Sequence, residues 1–430
     1  MNRLSEMLVE LQGRTRRGME LGLDRMQDSL AALGAPHRAL ACVHVAGSNG
    51  KGSVCAMVEE AARRAGLRTG LYTSPHLSRF AERIRIDGAP IGDAALASAL
   101  EAALTRVPLE LTFFEAMTVA AFVAFHEAGV ELAVLEVGLG GRLDATNVVE
   151  APLCTAITSI ALEHTQILGS TLPEIAREKA GILKPGAPVV LGPLDTSAEA
   201  AILDQARAVG AGSVWRVRHP GEGGELVVAR SGRQVRVEGP RGLAIEAKLG
   251  LAGAYQADNA AVACGIGMHL AERWPAIATA LPDALEGVKW PGRMERLDAS
   301  GVQVLLDCAH NPHGAAALAT ALAEEAIEPE QVTLLFGALE DKAWPEMLRL
   351  LAPLAARRVY TAPQGRSPAP LASLVAIASG ETEPEPKAAL ARALAMTPPG
   401  GLCLIAGSIY LVGALRASIL GFEPDPAIAL

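Results

Sequence analysis

Between Ala41 and Gly66 an apolar run, ACVHVAG, turns through the glycine-rich SNGKG and continues in the helical pattern SVCAMVEEAARRAG. A strand that hands over to a helix through glycines fixes a βα unit. The backbone N–H groups of its turn gather at the helix N-terminus, where phosphate oxygens are attracted. The spacing departs from G-x-x-x-x-G-K-[ST]: two residues separate Gly47 from Gly50, and Gly52 stands between Lys51 and Ser53. The segment reads as a variant phosphate loop, with a plain tight strand–helix connection as the competing reading. Lys51 would add a mobile cation near the β- and γ-phosphates, and Ser53 opens the helix.

The rest of the chain extends that unit. Residues 1–35 carry a helical pattern with one polar face. Beyond the loop, RTGLYTS, LAVLEVG, CTAITSI and APVVLG read as strands, and residues 93–106, 115–128 and TLPEIAREKAGIL as helices, the last with Pro173 near its start. Alternation of this kind predicts a parallel sheet covered by helices on both faces. From about 213 to 250 the pattern changes to period two around turn pairs, which predicts a small antiparallel excursion. YQADNAAVACGIGMHLAER returns to helix. WPGR, Trp290–Arg293, reads as a linker, after which the alternation restarts with VQVLLDCAH, a helix from Pro312, QVTLLFG, a helix near 344–353, RRVYTA, helices near 371–379 and 387–396, and GLCLIAGS before a final helix. The fold class is therefore α/β with two doubly wound domains, residues 1–292 and a smaller 293–430. ETEPEPK, Glu381–Lys387, reads as a solvated loop, and no internal repeat is apparent.

Composition narrows the function classes. Aromatic residues make up 3% of the 430, too few for a base-stacking platform, and a formal charge of −9 disfavours a phosphate-backbone binder. Six scattered cysteines without a C-x-x-C pair predict packed thiols in a reducing compartment. The N-terminal stretch lacks a signal-peptide core, and no uninterrupted apolar run is long enough to span a bilayer. A cytoplasmic protein, bound neither to nucleic acid nor to membrane, is expected.

Three further constellations carry chemistry. Glu136 ends the apolar strand in LEVGLGGRLDATN, where ligands gather in open α/β sheets. A buried carboxylate there calls for a cation; a strand-end salt bridge is the alternative. His164 follows CTAITSI and gains weight from Glu136 on the same sheet edge. With a hydroxyl such as that of Ser74, the two would suit Mg²⁺ shared with phosphates and water. Lys179, in REK, reads by pattern as a surface lysine. In LLDCAHNPHG, Asp307 and His310 occupy the end of the second domain's first strand, with Arg293 at the linker; a capped strand–helix turn is the competing reading.

HVAGSNGKGSV, YTSPHL, FFEAMT, EVGLGGRLDATN, ITSIALEHTQILG, IAREKAGILK, WPGRME, LLDCAHNPH and AGSIYLVG stand in the order found in folylpolyglutamate synthase/dihydrofolate synthase, of the Mur ligase superfamily. The resemblance runs from about residue 20 to 415. It implies a P-loop NTPase-like N-terminal domain of the Mur ligase central type and a Rossmann-like glutamate ligase domain. It implies that Gly50, Lys51, Gly52 and Ser53, with Asn259, Arg293 and Asp307, bind ATP, and that Ser74, Glu136 and His164 bind metal. Lys179 is similar to a family lysine that is carbamylated, which would overturn the surface reading. Catalytic roles are implied for Lys51, Lys179 and His310. Thr112, Phe113, Phe114 and Glu115, Leu143, Asp144 and Ala145, and Gly22, Leu23 and Asp24 resemble pterin-binding segments. The sequence departs from the family at Ser48, where threonine is common, at Cys308, where a smaller residue is frequent, and at Tyr255, where many members carry histidine.

The resemblance implies a monomeric, ATP-dependent amide ligase that adds L-glutamate to folate, to dihydropteroate or to both through an acyl phosphate. The implied cofactors are two Mg²⁺ ions, with ATP as co-substrate and K⁺ as a further cation. Two alternatives remain. One is another Mur-type amino acid ligase, disfavoured by the short stretch before His44. The other is a P-loop NTPase that makes no amide bond, disfavoured by the second domain.

Overall fold

The computed structural model describes residues 3–15 and 22–425. The chain folds as two units. The first runs to His76 and takes in Phe80–Gly250 and Gln256–Lys289; the second takes Leu77–Arg79, Leu251–Tyr255 and the chain from Trp290.

The first unit begins with α1 (Arg3–Thr15) and α2 (Asp24–Ala32). They are followed by β1 (Ala41–Ala46), α3 (Lys51–Arg64), β2 (Thr69–Tyr72), β3 (Ile84–Ile86) and β4 (Ala89–Pro90). Next come α4 (Asp93–Thr105), α5 (Phe113–Glu127), β5 (Leu132–Glu136), β6 (Cys154–Ile157), α6 (Thr165–Leu168), α7 (Leu172–Ala180), β7 (Val189–Leu191) and α8 (Thr196–Val209). Four strands follow, β8 (Val214–Arg218), β9 (Leu226–Ser231), β10 (Gln234–Gly239) and β11 (Leu243–Lys248), and then α9 (Gln256–Leu270) and α10 (Ala276–Gly287). All eleven strands share one sheet, ordered β11-β10-β9-β8-β7-β6-β1-β5-β2-β3-β4.

From β9 to β2 the neighbours run parallel, and only the two ends of the sheet are antiparallel. The antiparallel excursion expected from about 213 thus begins one strand later. β8 pairs parallel with β7 and with β9, extending the main sheet. A period-two pattern such as VWRVR fixes which residues are buried but not which way the neighbouring strand runs.

Helices on both faces explain the continuous apolar strands. In β7, Val189 and Leu191 pack with Ile175 and Ile202 of α7 and α8. Val190 points the other way, toward Gly265 of α9. Two helices that position the site start with capping boxes. Thr112 and Glu115 exchange hydrogen bonds at α5, and Thr171 and Glu174 do so at α7, with Pro173 in its first turn. Such a cap typically contributes about 1 kcal/mol. The registers Val45↔Glu136 and Ala46↔Ile157 bring the carboxyl ends of β5, β1 and β6 side by side.

In the second unit, β12 (Glu295–Ala299) lies antiparallel to β13 (Val302–Leu306), an edge pairing that the linker reading of WPGR did not anticipate. The chain continues through α11 (Pro312–Glu324), β14 (Val332–Phe336), α12 (Trp344–Leu351), β15 (Arg357–Tyr360), α13 (Leu371–Ile377), β16 (Glu381–Thr382), α14 (Pro386–Met396), β17 (Leu402–Ala406) and α15 (Ile409–Leu420). The sheet order is β12-β13-β17-β14-β15-β16. Leu305, Leu334 and Leu404 face α11 and α12, whereas Val304, Leu306, Leu335 and Ile405 face α14 and α15, so both faces are covered. The segment expected as a solvated loop supplies the short edge strand β16, and Glu385 caps α14 by accepting from Lys387 N and Ala388 N.

Candidate active site

The loop between β1 and α3 is strapped to the segment that follows β6. Ser48 N donates to Ser159 O (2.7 Å), Asn49 N to Ser159 Oγ (2.9 Å), and Thr158 Oγ1 to Asn49 O (2.6 Å). Gly47 and Gly50 have φ of 145° and 90°, which L side chains rarely adopt. Space demands glycine too: a Cβ would lie 2.0 Å from Thr158 Oγ1 at Gly47 and 2.3 Å from Asn259 Oδ1 at Gly50. Lys51 Nζ curls back onto the carbonyls of Gly47 (2.8 Å) and Ser48 (3.1 Å). Ser53 is buried at the start of α3, where its Oγ accepts from Gln256 Nε2, and Gln256 Oε1 accepts from Asn259 Nδ2 (2.9 Å). The structure thus brings Gly50, Lys51, Gly52, Ser53 and Asn259 together.

Lys179 is not on the surface. It is 2% exposed at the end of α7 and donates to Gly47 O (3.0 Å) and Glu163 Oε1 (2.9 Å). A buried ammonium requires partners, and it has a carboxylate and the first carbonyl of the loop. Burial pushes the Lys179 amine down, and Lys51 adds to that while Glu163 opposes it. Burial would raise Glu163, but Lys179 and Lys51 outweigh it and hold the carboxyl at about 2.

Glu136 is buried at the carboxyl end of β5 and accepts from the backbone N–H of Ser74 (3.1 Å). His164 is exposed, with a left-handed backbone (φ 46°), at the start of α6 and next in sequence to Glu163. Among the described residues, no three His, Cys, Asp or Glu side chains form a metal cage. The Ser74, Glu136 and His164 set provides one carboxylate, one hydroxyl and one imidazole. A donor set this sparse fits a Mg²⁺ that completes its shell with phosphate and water oxygens.

The segments expected to meet a pterin converge at the start of α5. Glu115 is 4% exposed; its Oε1 accepts from Arg25 Nε (3.1 Å) and Nη2 (2.9 Å), and its Oε2 from Thr112 N (2.8 Å). Arg25 thereby ties the Gly22–Asp24 segment at the head of α2 to Thr112. Phe113 is buried, while the half-buried Phe114 lies against Gly138, where a Cβ would come within 2.4 Å of its ring. Leu143 is half-buried, and Asp144 and Ala145 are buried.

In the second unit, Asp307 follows β13 and accepts from Met294 N (3.0 Å) and Ala309 N (2.9 Å). Burial pushes its carboxyl up, against Arg293 and those two amides. Tyr255 is within the electrostatic reach of both Asp307 and Arg293, and burial raises its phenol. His310 Nδ1 donates to Cys308 O (2.9 Å), which sets the tautomer of the neutral ring with the proton on Nδ1.

Residues 45–267 match the Mur ligase middle domain, and residues 292–409 match the Mur ligase, glutamate ligase domain. The folylpolyglutamate synthase of Lacticaseibacillus casei is 36% identical over 411 residues, covering 92% of this chain and 94% of that protein. The chain belongs to the folylpolyglutamate synthase family of Mur ligases. A Haloferax volcanii family member, named "Probable bifunctional folylpolyglutamate synthase/dihydropteroate synthase", is 37% identical over 417 residues; this chain spans about half of its length (48%). Among solved members of the folylpolyglutamate synthase family, E. coli FolC in complex with DHPP and ADP superposes with a TM-score of 0.86 at 29% identity, covering 97% of this chain and 98% of that one. A Yersinia pestis folylpolyglutamate synthase/dihydrofolate synthase, complexed with AMPPNP and Mn ion, gives 0.85 at 30% identity, covering 97% and 98%.

Some residues of the site were not singled out from sequence. Glu163 stands on the segment after β6 rather than at a strand end like Glu136, and His164 beside it drew the reading. Thr158 and Ser159 strap the loop through contacts more than 100 residues distant, which no local pattern reports. Arg25 follows the Gly22–Asp24 segment directly, and only its meeting with Glu115 gives it a role.

Proposed function

We propose that this chain is an ATP-dependent ligase that joins the amine of L-glutamate to the carboxylate of a folate or dihydropteroate acceptor. The observation that carries the reading is the buried Lys179, which lies under the loop of Gly47–Ser53 and contacts it directly. The loop's helix N-terminus and Lys51 suit a triphosphate, and relatives of similar length are named for this chemistry.

An acceptor carboxylate is a poor acyl donor. Attack of its oxygen on the γ-phosphorus breaks the bond to ADP and gives an acyl phosphate. The glutamate amine then attacks the carbonyl carbon, loses a proton, and phosphate leaves with one former carboxylate oxygen. Lys51 is held only by two carbonyls of its own loop, so it can turn to the phosphoryl oxygens; a donor of this kind is worth about 3–4 kcal/mol. Ser74, Glu136 and His164 would hold Mg²⁺, which when bound neutralises charge developing on the phosphates. The depressed amine of Lys179 favours the neutral form that takes up CO₂ as a carbamate, placing a carboxylate at the loop. In the second unit, Arg293 and Asp307 serve the nucleoside and His310 the phosphates or the incoming glutamate. Gly22–Asp24, Thr112–Glu115 and Leu143–Ala145 position the pterin.

The test supplies dihydropteroate and tetrahydrofolate separately, each with ATP, Mg²⁺ and labelled glutamate. A product carrying label with at least one acceptor is expected. ATP turnover without label in either product contradicts the reading.

A further inference from the structure

In GLGGRLDATN, Arg142 is exposed, whereas Asp144, Thr146 and Asn147 are buried. Asp144 is buried, and four donors occupy its carboxylate: Gly138 N (3.0 Å) and Leu139 N (2.9 Å) on Oδ2, Thr146 N (3.0 Å) and Thr146 Oγ1 (2.5 Å) on Oδ1. A carboxylate has about four lone-pair positions, so this one is saturated. Thr146 has a single hydroxyl proton and gives it to Asp144. Its second contact, 2.8 Å from His44 Nε2, must then have the imidazole as donor, which fixes the His44 tautomer. His44 is fully buried in β1, and burial, aided by the charge of Lys184, holds it near 3 and hence neutral. Asn147 ties the far side of the loop, donating to Arg142 O (2.9 Å) and Gly181 O (3.1 Å).

The supported amides belong to a functional stretch. Gly138 is two residues beyond Glu136 and packs directly on Phe114, which the ligase reading places at the acceptor. A Cβ there would force the Phe114 ring to move, so the glycine lets the loop rest close on it.

We infer that His44, Thr146 and Asp144 are positioning residues for acceptor binding, a buried hydrogen-bonded chain from β1 to the amides of Gly138 and Leu139 that seats the glycine loop against Phe114. The inference rests on the ligase reading, and it gives the Asp144 side chain a supporting task instead of a direct contact with the pterin.

Thr146→Val keeps the shape and removes the hydroxyl. Loss of a buried supporting partner of this kind typically costs about tenfold or more. The acceptor KM is expected to rise about tenfold with the KM for ATP unchanged, because the phosphate loop is strapped elsewhere. Amide hydrogen exchange at Gly138 and Leu139 should accelerate while that of Ser48 and Asn49 does not. Thr146→Ser restores both readouts. His44→Leu shows part of the same change, and it carries the test if Thr146→Val does not fold. His44→Gln, which can donate from near the Nε2 position, recovers much of it. Wild-type acceptor KM and unchanged exchange in Thr146→Val, or a lowered melting temperature with unchanged kinetics, overturns the inference. If the unaltered protein joins no glutamate to either acceptor, the ligase reading fails, while unaccelerated exchange in Thr146→Val overturns the chain itself.

Discussion

Lys179 Nζ lies 3.0 Å from the carbonyl oxygen of Gly47, so a lysine at the end of one helix supports the first residue of the β1–α3 glycine loop 132 positions earlier. The same ammonium meets Glu163, on the segment after β6, at 2.9 Å. One buried charge therefore joins the end of α7 to two strand-end segments whose residues divide the proposed chemistry among them.

Lys179→Ala is expected to abolish glutamate-dependent ADP release, with partial recovery on addition of a small carboxylate such as acetate that can occupy the vacated volume. Steady-state assays with and without the carboxylate check this. A fully active Lys179→Ala protein would remove carbamylation from the account.

Lys51→Ala removes a side-chain cation that folds back onto two of its own loop's carbonyls. A loss in kcat of about 10²–10³-fold is expected, by analogy with removal of a single transition-state donor, with an unchanged circular dichroism spectrum and melting temperature. Near-normal turnover would refute the phosphate-loop assignment.

Gly50→Ala places a Cβ against Asn259 Oδ1 in a backbone conformation that costs an L-residue about 1–2 kcal/mol. Nucleotide affinity, measured by titration calorimetry, should fall about tenfold. An unchanged affinity would mean that the loop does not meet the nucleotide.

Glu163 titrates at about 2 in the fold, below its ordinary 4.5. A depressed carboxyl contributes stability that is fully present above pH 4.5 and lost as pH falls toward 2. The stability difference between the unaltered protein and Glu163→Gln should be flat above pH 4.5 and shrink by about 3 kcal/mol on acidification through that window. Lys179, whose amine is lowered, acts at alkaline pH instead, so the acid limb isolates Glu163. Denaturant titrations at several pH values measure it, and a pH-independent difference contradicts the ion pair.

Local chemistry carried most of the architecture. The apolar runs around Val43, Val134 and Ala156 announce a parallel sheet because strands covered on both faces must be apolar throughout, and Pro173 and Pro312 mark helix starts. Strand direction was less legible: alternation in VWRVR looks the same whichever way β9 runs. The site divided in the same way. Glu136 and Asp307 are readable as strand-end carboxylates. The burial of Lys179 is not, since REK fits a solvated helix face, and only resemblance to the family pointed inward. The saturation of Asp144 by Gly138, Leu139 and Thr146 required the folded loop, because sequence reports the carboxylate and not its donors.

The acyl phosphate is the central claim, and oxygen tracing tests it most directly. An acceptor labelled with ¹⁸O in its carboxylate is incubated with ATP, Mg²⁺ and glutamate, and the released phosphate is examined by mass spectrometry. The account predicts one labelled oxygen in phosphate for each amide formed. Amide formed with unlabelled phosphate, or phosphate whose one added oxygen comes from water with no amide formed, would contradict it.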